Sequence, residues 1–338
     1  MNKNKLYFFS DFHLGMPQGE VSINREKKIV NLLQTVSSDA HSIFLLGDIF
    51  DFWFEYREVV PKGYFRLLNI ISELTGKGIK VYLFPGNHDL WYGNYLVEHC
   101  GVELLKEPTE FFFCNKKFHI HHGDGLGPGD YKYKLLKKVF IHPISKFIFK
   151  WLHPDIGVRF ARFLSSKSRL SQGTKHDNYL GDDKEFLTQY CLNILKNQHR
   201  LSKPEKIGAD VHDGVDSELD KQRNNLLTDQ VLYQGNNQFT KQENKQVCVQ
   251  EFKQINDGNQ VNTNDIRNNQ TENYGEKHLL KLVEFNTETV DFFVFGHRHL
   301  VLDIQLLGNS RYINLGHWLR NSHYGVFDGV SFNLISVE

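Results

Sequence analysis

Short apolar runs, each stopped by a small polar cluster, set the pattern of this chain. Residues 6–9 are apolar and stop at Ser10-Asp11-Phe12-His13. Residues 42–46 stop at Gly47-Asp48-Ile49-Phe50-Asp51, and residues 79–84 at Pro85-Gly86-Asn87-His88-Asp89. Runs of this length bounded by turn residues read as buried strands. Between them, residues 23–37 (Ile23, Ile29, Val30, Leu32, Leu33, Val36) and 64–76 (Phe65, Leu68, Ile71, Leu74) carry apolar side chains at helical spacing. Residues 111–113 and 117–120 read as a hairpin that runs into His121-His122-Gly123-Asp124-Gly125. Residues 176–198 and 279–285 read as helices. The strand at 291–295 stops at Gly296-His297-Arg298-His299, and strands at 301–306, 311–315, 324–327 and 330–335 close an antiparallel edge. Strands alternating with helices predict an α/β protein whose sheet is covered on both faces.

The polar clusters carry the candidate chemistry. In extended chain, residues i and i+2 face the same side, so His297 and His299 present both imidazoles to one volume past a strand end. Asp11 and His13 have the same spacing. Ligands of open α/β sheets sit at such strand ends, and imidazole is the commonest side-chain metal ligand. Each motif alone is weak, but five in succession, each after an apolar strand, do not arise by chance.

Composition narrows the rest. The 40 basic and 40 acidic residues cancel, so no global field argues for nucleic acid. The 27 Phe are many for a chain of 338 residues and point to apolar surface with a purpose. Cys100, Cys114, Cys191 and Cys248 have no Cys-Xaa-Xaa-Cys spacing, which predicts neither a zinc knuckle nor a disulfide framework and fits a reducing compartment. The first residues are too short an apolar run for a signal peptide, and no stretch is long enough to span a bilayer. A cytoplasmic location follows as the expectation, with any membrane contact peripheral.

Asp11-Xaa-His13, Gly47-Asp48-Ile49-Phe50-Asp51, Gly86-Asn87-His88-Asp89, His122-Gly123-Asp124 and Gly296-His297-Arg298-His299 together resemble the calcineurin-like metallophosphoesterase superfamily. The resemblance implies a four-layer α/β/β/α sandwich with an inserted helical cap and a site for two divalent metal ions. It implies Asp48 as the bridging ligand, Asp11, His13 and His299 on one ion, and Asn87, His122 and His297 on the other. Mixed carboxylate, amide and imidazole donors suit Mn²⁺, Fe²⁺ or Zn²⁺ better than Ca²⁺, and the resemblance favours Mn²⁺. It also implies His88, held by Asp51, as the residue that contacts the phosphate and protonates the leaving group. Asp89 and Asp124 read as structural, capping a turn or holding a ligand histidine. His317 reads as a structural histidine rather than a ligand.

Residues 126–169, with Gly129-Asp130-Tyr131 and Ser165-Ser166-Lys167-Ser168, and the later Ile313-Asn314-Leu315-Gly316-His317-Trp318, resemble the UDP-2,3-diacylglucosamine hydrolase family of lipid A biosynthesis. That resemblance implies a substrate-binding role for Asp130, Tyr131, Lys167 and Arg169. The chain departs from the family at His88, where members often carry Arg.

Three parts are expected: a core of residues 1–130 and 277–338, a basic, Phe-rich helical cap at 131–199, and an insertion at 200–276. The stretch from Tyr131 to Arg169 holds ten Lys and Arg and one acid, Asp155, among Phe140, Phe147, Phe149, Trp151, Phe160 and Phe163. It reads either as an ordinary helical insertion with a solvated basic face, or as a cap for acyl chains and anionic headgroups. From Gln222 to Tyr274, 22 of 53 residues are Asn or Gln, too polar to offset the entropy of ordering. The insertion therefore reads as disordered. The function expected is two-metal hydrolysis of the pyrophosphate of an acylated nucleotide-sugar lipid at the cytoplasmic face of the inner membrane. Another phosphodiester substrate and a non-catalytic scaffold are the alternatives.

Overall fold

The computed structural model describes residues 3–129, 131–172, 179, 181, 184–201, 251–254 and 289–337. Its first sheet is built on β1 (Lys5–Phe9), β2 (Ala40–Leu46), β3 (Lys80–Phe84) and β4 (Glu103–Leu104), all parallel. α1 (Glu20–Val36), α2 (Phe65–Gly76) and the short α3 (Tyr95–Cys100) make the crossovers between them. β11 (His323–Phe327) and β12 (Phe332–Ser336) extend the other edge antiparallel, giving the order β12-β11-β1-β2-β3-β4.

The second sheet takes β5 (Thr109–Phe113), β6 (Lys116–Ile120), β7 (Glu251–Gln254), β8 (Phe292–Phe295), β9 (Val301–Gln305) and β10 (Arg311–Leu315) in the order β7-β5-β6-β8-β10-β9. β6, β8 and β10 run parallel at its centre.

Strand alternation sorts the apolar side chains into layers. Leu6, Phe8, Phe44, Leu46, Tyr82 and Phe84 point from the first sheet into a shared core with Phe111, Phe118, Ile120, Val294 and Ile313 of the second. Their neighbours Tyr7, Phe9, Ile43, Leu45, Val81 and Leu83 point outward, onto Ile29 and Leu33 of α1 and Leu67, Ile71 and Leu74 of α2. On the far face of the second sheet, Phe293, Phe295 and Tyr312 meet Leu187, Cys191 and Leu195 of α7 (Phe186–Leu201). The layers are helix, sheet, sheet, helix, as expected. Much of the phenylalanine goes into the inter-sheet core, where Phe8 stacks on Phe44 at 4.8 Å between ring centres and Phe44 on Tyr82 at 4.9 Å.

α4 (Tyr131–Ile141), α5 (Pro143–Lys150) and α6 (Pro154–Gln172) follow the β6 loop. α4 buries no residue and α5 buries only Phe149, whose ring sits 4.7 Å from both Phe54 and Trp91. Trp91 Nε1 donates to the Phe140 carbonyl at 3.0 Å. No helix among the described residues is long and apolar enough to cross a membrane.

The structure departs from the sequence reading in four places. α7 starts at Phe186 rather than at 176, and Gly181 precedes it at φ +91°, a conformation side chains resist. α3 and β4 were too short to leave a periodic signal. Within 200–276, Glu251–Gln254 pairs with β5 as an edge strand. Apart from that strand and the end of α7, that segment and its expected disorder lie outside the described residues, as does the helix expected at 279–285. Cys114, in the β5–β6 turn, is disulfide-bonded, whereas Cys100 and Cys191 are buried free thiols.

Candidate metal centre

The loops after β1, β2, β3, β6 and β8 end at the same rim of the two sheets, and the hydrogen bonds between them hold it together. Asp11 N–H donates to the Gly47 carbonyl, His13 N–H to that of Asp48, and Gly296 N–H to that of His122. The turns are sharp. Asp11, His13, Asp48, His297 and His299 all have φ between +45° and +68°. Non-glycine residues pay about 1 kcal/mol or more each for that conformation, which persists where surrounding structure enforces it and clusters at functional sites. Two glycines allow the close approach. A Cβ on Gly86 would run into Asp48 Oδ1, and one on Gly296 into Ser10 Oγ.

One group of donors is Asp11, His13, Asp48 and His299, whose ligand atoms lie within 4.8 Å of one another. His13 Nε2 is 3.6 Å from Asp11 Oδ1, 3.8 Å from Asp48 Oδ2 and 3.3 Å from His299 Nε2. His299 Nε2 is 3.3 Å from Asp11 Oδ1. On the other side, His122 Nε2 is 3.5 Å from Asp48 Oδ2 and 3.3 Å from Asn87 Oδ1, and His297 Nδ1 is 2.8 Å from Asn87 Oδ1. Donors each about 2.1 Å from one ion stand roughly 3.0–3.4 Å apart in octahedral or tetrahedral arrangement. His13–His299, His299–Asp11 and His122–Asn87 have that spacing, while the His13–Asp11, His13–Asp48 and His122–Asp48 separations are longer, so the cluster is compatible with a divalent-metal site with Asp48 Oδ2 beside both groups.

The satisfaction of these atoms tests the fit. Asp11 Oδ1 and Asp48 Oδ2 are buried without a hydrogen-bond partner. Their sister oxygens are occupied: Asp11 Oδ2 accepts from Ser10 Oγ and His297 N–H, and Asp48 Oδ1 accepts from His88 N–H at 2.8 Å. Buried carboxylate oxygens left open on the same side of a cluster of imidazoles fit divalent cations. His122 Nδ1–H donates to the Leu46 carbonyl at 2.6 Å, which leaves Nε2 as the donor atom toward the centre.

Electrostatics point the same way. Burial opposes ionisation of Asp11, but the imidazoles of His13 and His299 beside it hold it well below the usual carboxylate range. Burial opposes charge on His122, yet the Asp48 carboxylate pushes it up to about 10. His297, buried beside His122, is pushed down to about 3. Without cations the carboxylates draw protons onto neighbouring imidazoles, so binding a cation there expels protons.

Asp89 organises the scaffold. Its carboxylate accepts from the backbone N–H of Asp48 (3.1 Å), Ile49 (2.8 Å), Phe50 (3.2 Å) and Gly86 (2.7 Å), and from Tyr92 Oη. Burial and the Asp48 charge push it up to about 6 against those donors. Asp89→Ala leaves these buried N–H groups without an acceptor, at a cost of about 2–4 kcal/mol. Chemical denaturation is expected to register a loss of that size, and a variant as stable as the parent would contradict the capping role.

Asp51 and His88 lie beside the first donor group, with Asp51 Oδ1 at 3.7 Å from His88 Nδ1 and 3.9 Å from His13 Nδ1. Asp51, expected to hold His88, makes no direct Oδ1–Nδ1 hydrogen bond to it at that distance. Ser165 Oγ of α6 stands between them. Asp124 receives Tyr133 Oη and the Lys137 ammonium, the latter at 2.7 Å, and so ties α4 to the His122 loop. His317 lies 4.9 Å from His299 between ring centres, and its Nδ1 accepts from Leu319 N–H. Tyr131 opens α4, and its exposed ring faces Lys134 Nζ at 5.8 Å. The side chains of Asp130, Lys167 and Arg169 lie outside the described residues.

Sequence reasoning missed three supports. Ser165 is one. Arg25, buried on α1, donates to the carbonyls of Phe12, His13 and Met16 and holds the β1 loop. Arg298, between the two histidines of the last loop, pairs with Glu185 at 2.5 Å and 2.9 Å. An arginine inside Gly-His-Xaa-His was a visible signal, since buried arginine needs a carboxylate.

No family model matches the chain. A UDP-2,3-diacylglucosamine hydrolase of Porphyromonas gingivalis is 27% identical over 341 residues, covering 99% of this chain and 98% of that one. One from Histophilus somni is 28% identical over 202 residues, or 58% of this chain and 83% of that one. Among solved structures, a dimetal phosphatase from Danio rerio aligns over 99% of both chains at 11% identity, with a TM-score of 0.36, too low to bear on the site. From its first strand to its last, helical segment included, the chain resembles the UDP-2,3-diacylglucosamine hydrolases.

Proposed function

We propose that the chain hydrolyses the pyrophosphate bond of UDP-2,3-diacylglucosamine to UMP and 2,3-diacylglucosamine 1-phosphate. The observation that carries this reading is the full-length similarity to a hydrolase of that name. Asp11, His13, Asp48 and His299 would hold one divalent cation, and Asp48, Asn87, His122 and His297 the second, with Mn²⁺ the first choice. Such a pair neutralises pyrophosphate oxygens and acidifies water enough for it to react near neutral pH. Asp11 and Asp48, ionised, set the charge of the centre. His88 is the group beside it suited to contact a phosphate oxygen and give a proton to the leaving group.

The residues 131–199 would act as the cap. Phe147 is 62% exposed and Trp151 78%, with Ile144 and Ile148 also exposed, alongside Lys138 and Lys150. Apolar side chains interleaved with cations suit acyl chains and anionic headgroups. Asp130, Tyr131, Lys167 and Arg169 are the proposed contacts to sugar and phosphates. The proposed location is the cytoplasmic face of the inner membrane, peripherally bound and without nucleic-acid partners.

Incubating the full chain with Mn²⁺ and the lipid nucleotide is expected to release UMP. Co-sedimentation is expected with vesicles containing anionic lipid, and Phe147→Ser/Trp151→Ser is expected to weaken it about tenfold or more. No UMP under these conditions overturns the substrate assignment. His88, in place of the arginine frequent in that family, favours a second reading: hydrolysis of another phosphodiester. High activity on small diesters with none on the lipid nucleotide would select it. A scaffold without activity is disfavoured, because all seven ligand positions carry residues with donor atoms.

A further inference from the structure

Ser165 is carried by α6, 77 residues along the chain from His88 and 114 from Asp51. Its Oγ lies 2.9 Å from His88 Nδ1 and 3.4 Å from Asp51 Oδ1, while that nitrogen and oxygen are 3.7 Å apart. An ionised carboxylate only accepts hydrogen bonds, and a hydroxyl has one proton to give. The arrangement that satisfies both contacts has Ser165 donate to Asp51 Oδ1 and accept from His88 Nδ1–H. In that arrangement the imidazole is held in the Nδ1–H tautomer, with Nε2 its unprotonated nitrogen.

We propose that Ser165 is a positioning residue that relays the hold of Asp51 to His88, so that the orientation of His88 depends on α6 being docked. The proposal rests on reading this site as a phosphoester-cleaving centre, but its geometry does not depend on which ester is cleaved. α6 does not reach the site alone. The helical segment is also tied down by Tyr133 and Lys137 at Asp124 and by the Phe149 ring against Phe54 and Trp91. A hydroxyl brought in by the segment over the site, rather than by the core loops, makes the segment part of the catalytic arrangement as well as a cover. Asp51 Oδ1, 3.7 Å from Nδ1, makes no direct hydrogen bond to that ring nitrogen.

The test uses the full chain with Ser165→Ala and Ser165→Thr. Rates are measured with Mn²⁺ on the lipid nucleotide and on bis(p-nitrophenyl) phosphate, and bound metal is counted. Ring nitrogens of ¹⁵N-histidine are recorded in the zinc-loaded protein. Ser165→Ala is expected to lower kcat about tenfold, the order of one lost hydrogen bond, with KM and bound metal unchanged, and Ser165→Thr to recover to within about twofold. The His88 ring is expected to show the Nδ1–H pattern in the parent and in Ser165→Thr, and a tautomer average in Ser165→Ala. An unchanged ring pattern and kcat in Ser165→Ala, or a loss that threonine fails to restore, overturns the proposal. If the lipid nucleotide is not cleaved but the ring pattern responds as stated, the substrate reading fails and the role of Ser165 stands.

Discussion

Asp48→Asn is expected to lower hydrolysis by about 10³-fold or more, equivalent to roughly 4 kcal/mol of transition-state stabilisation. The reason lies in one atom. Asp48 Oδ2 is the oxygen that both donor groups share, 3.8 Å from His13 Nε2 and 3.5 Å from His122 Nε2. The substitution keeps an oxygen for the hydrogen bond from His88 N–H and turns the open side of the carboxyl into an amide donor. It removes one unit of negative charge from between the two proposed cation positions. Bound metal is expected to fall from two ions per chain to one or fewer. The metal-free fold is expected to lose some stability, because burial opposes the Asp48 charge but His122 and His88 outweigh it and hold the carboxyl well below the usual carboxylate range. Metal analysis and unfolding midpoints of the metal-free proteins check both halves. A variant that keeps two ions and parental turnover removes Asp48 from the bridging position.

The sequence showed which loops would meet but not how they are braced. β1, β2, β3 and β8 are parallel strands buried on both faces, so they appear as uninterrupted apolar runs, and the polar residue after each run marks the sheet rim. That is why Asp11, Asp48, Asn87 and His297 could be placed at one end of the sheets before any coordinates. Asp89 was legible as a cap for the same reason. It follows a strand end and has a short side chain suited to backbone N–H groups. Ser165 was not legible. It lies in a helix whose apolar pattern is blurred by exposure on most sides, and a serine has no spacing rule that ties it to a histidine 77 residues away. The edge strand β7 pairs through its backbone with β5, and its four residues, Glu-Phe-Lys-Gln, are too few and too mixed to give a strand signal. Backbone pairing at a sheet edge asks little of side chains. Positive φ at Asp11, His13, Asp48, His297 and His299 is likewise invisible in sequence, because these residue types are chosen for their donor atoms rather than for the turn.

The same bracing argument gives the largest expected effect on stability. Glu185→Ala is expected to destabilise the protein by about 3–5 kcal/mol, the cost of leaving one member of a buried ion pair alone. Arg298 and Glu185 have side-chain exposures of only 4% and 1%, and they meet in a two-bond fork, Nε to Oε1 and Nη2 to Oε2. Glu185 stands just before α7, so the pair joins that helix to the loop carrying His297 and His299. The two members are not equivalent. A carboxyl group can shed its charge by taking a proton, whereas a guanidinium cannot shed its own. Arg298→Met should therefore cost less than Glu185→Ala, and the double variant Glu185→Leu/Arg298→Met should recover most of the loss. Thermal unfolding should fall by about 5–10 °C for Glu185→Ala, by the usual conversion for large domains. Metal affinity should drop with it, since the loop between the two histidines loses its anchor. In the double variant stability returns, but an apolar pair fixes the loop less sharply, so affinity should return only in part. Equal losses for the two single variants, or a double variant no better than Glu185→Ala, would mean that the fork is not what holds this loop.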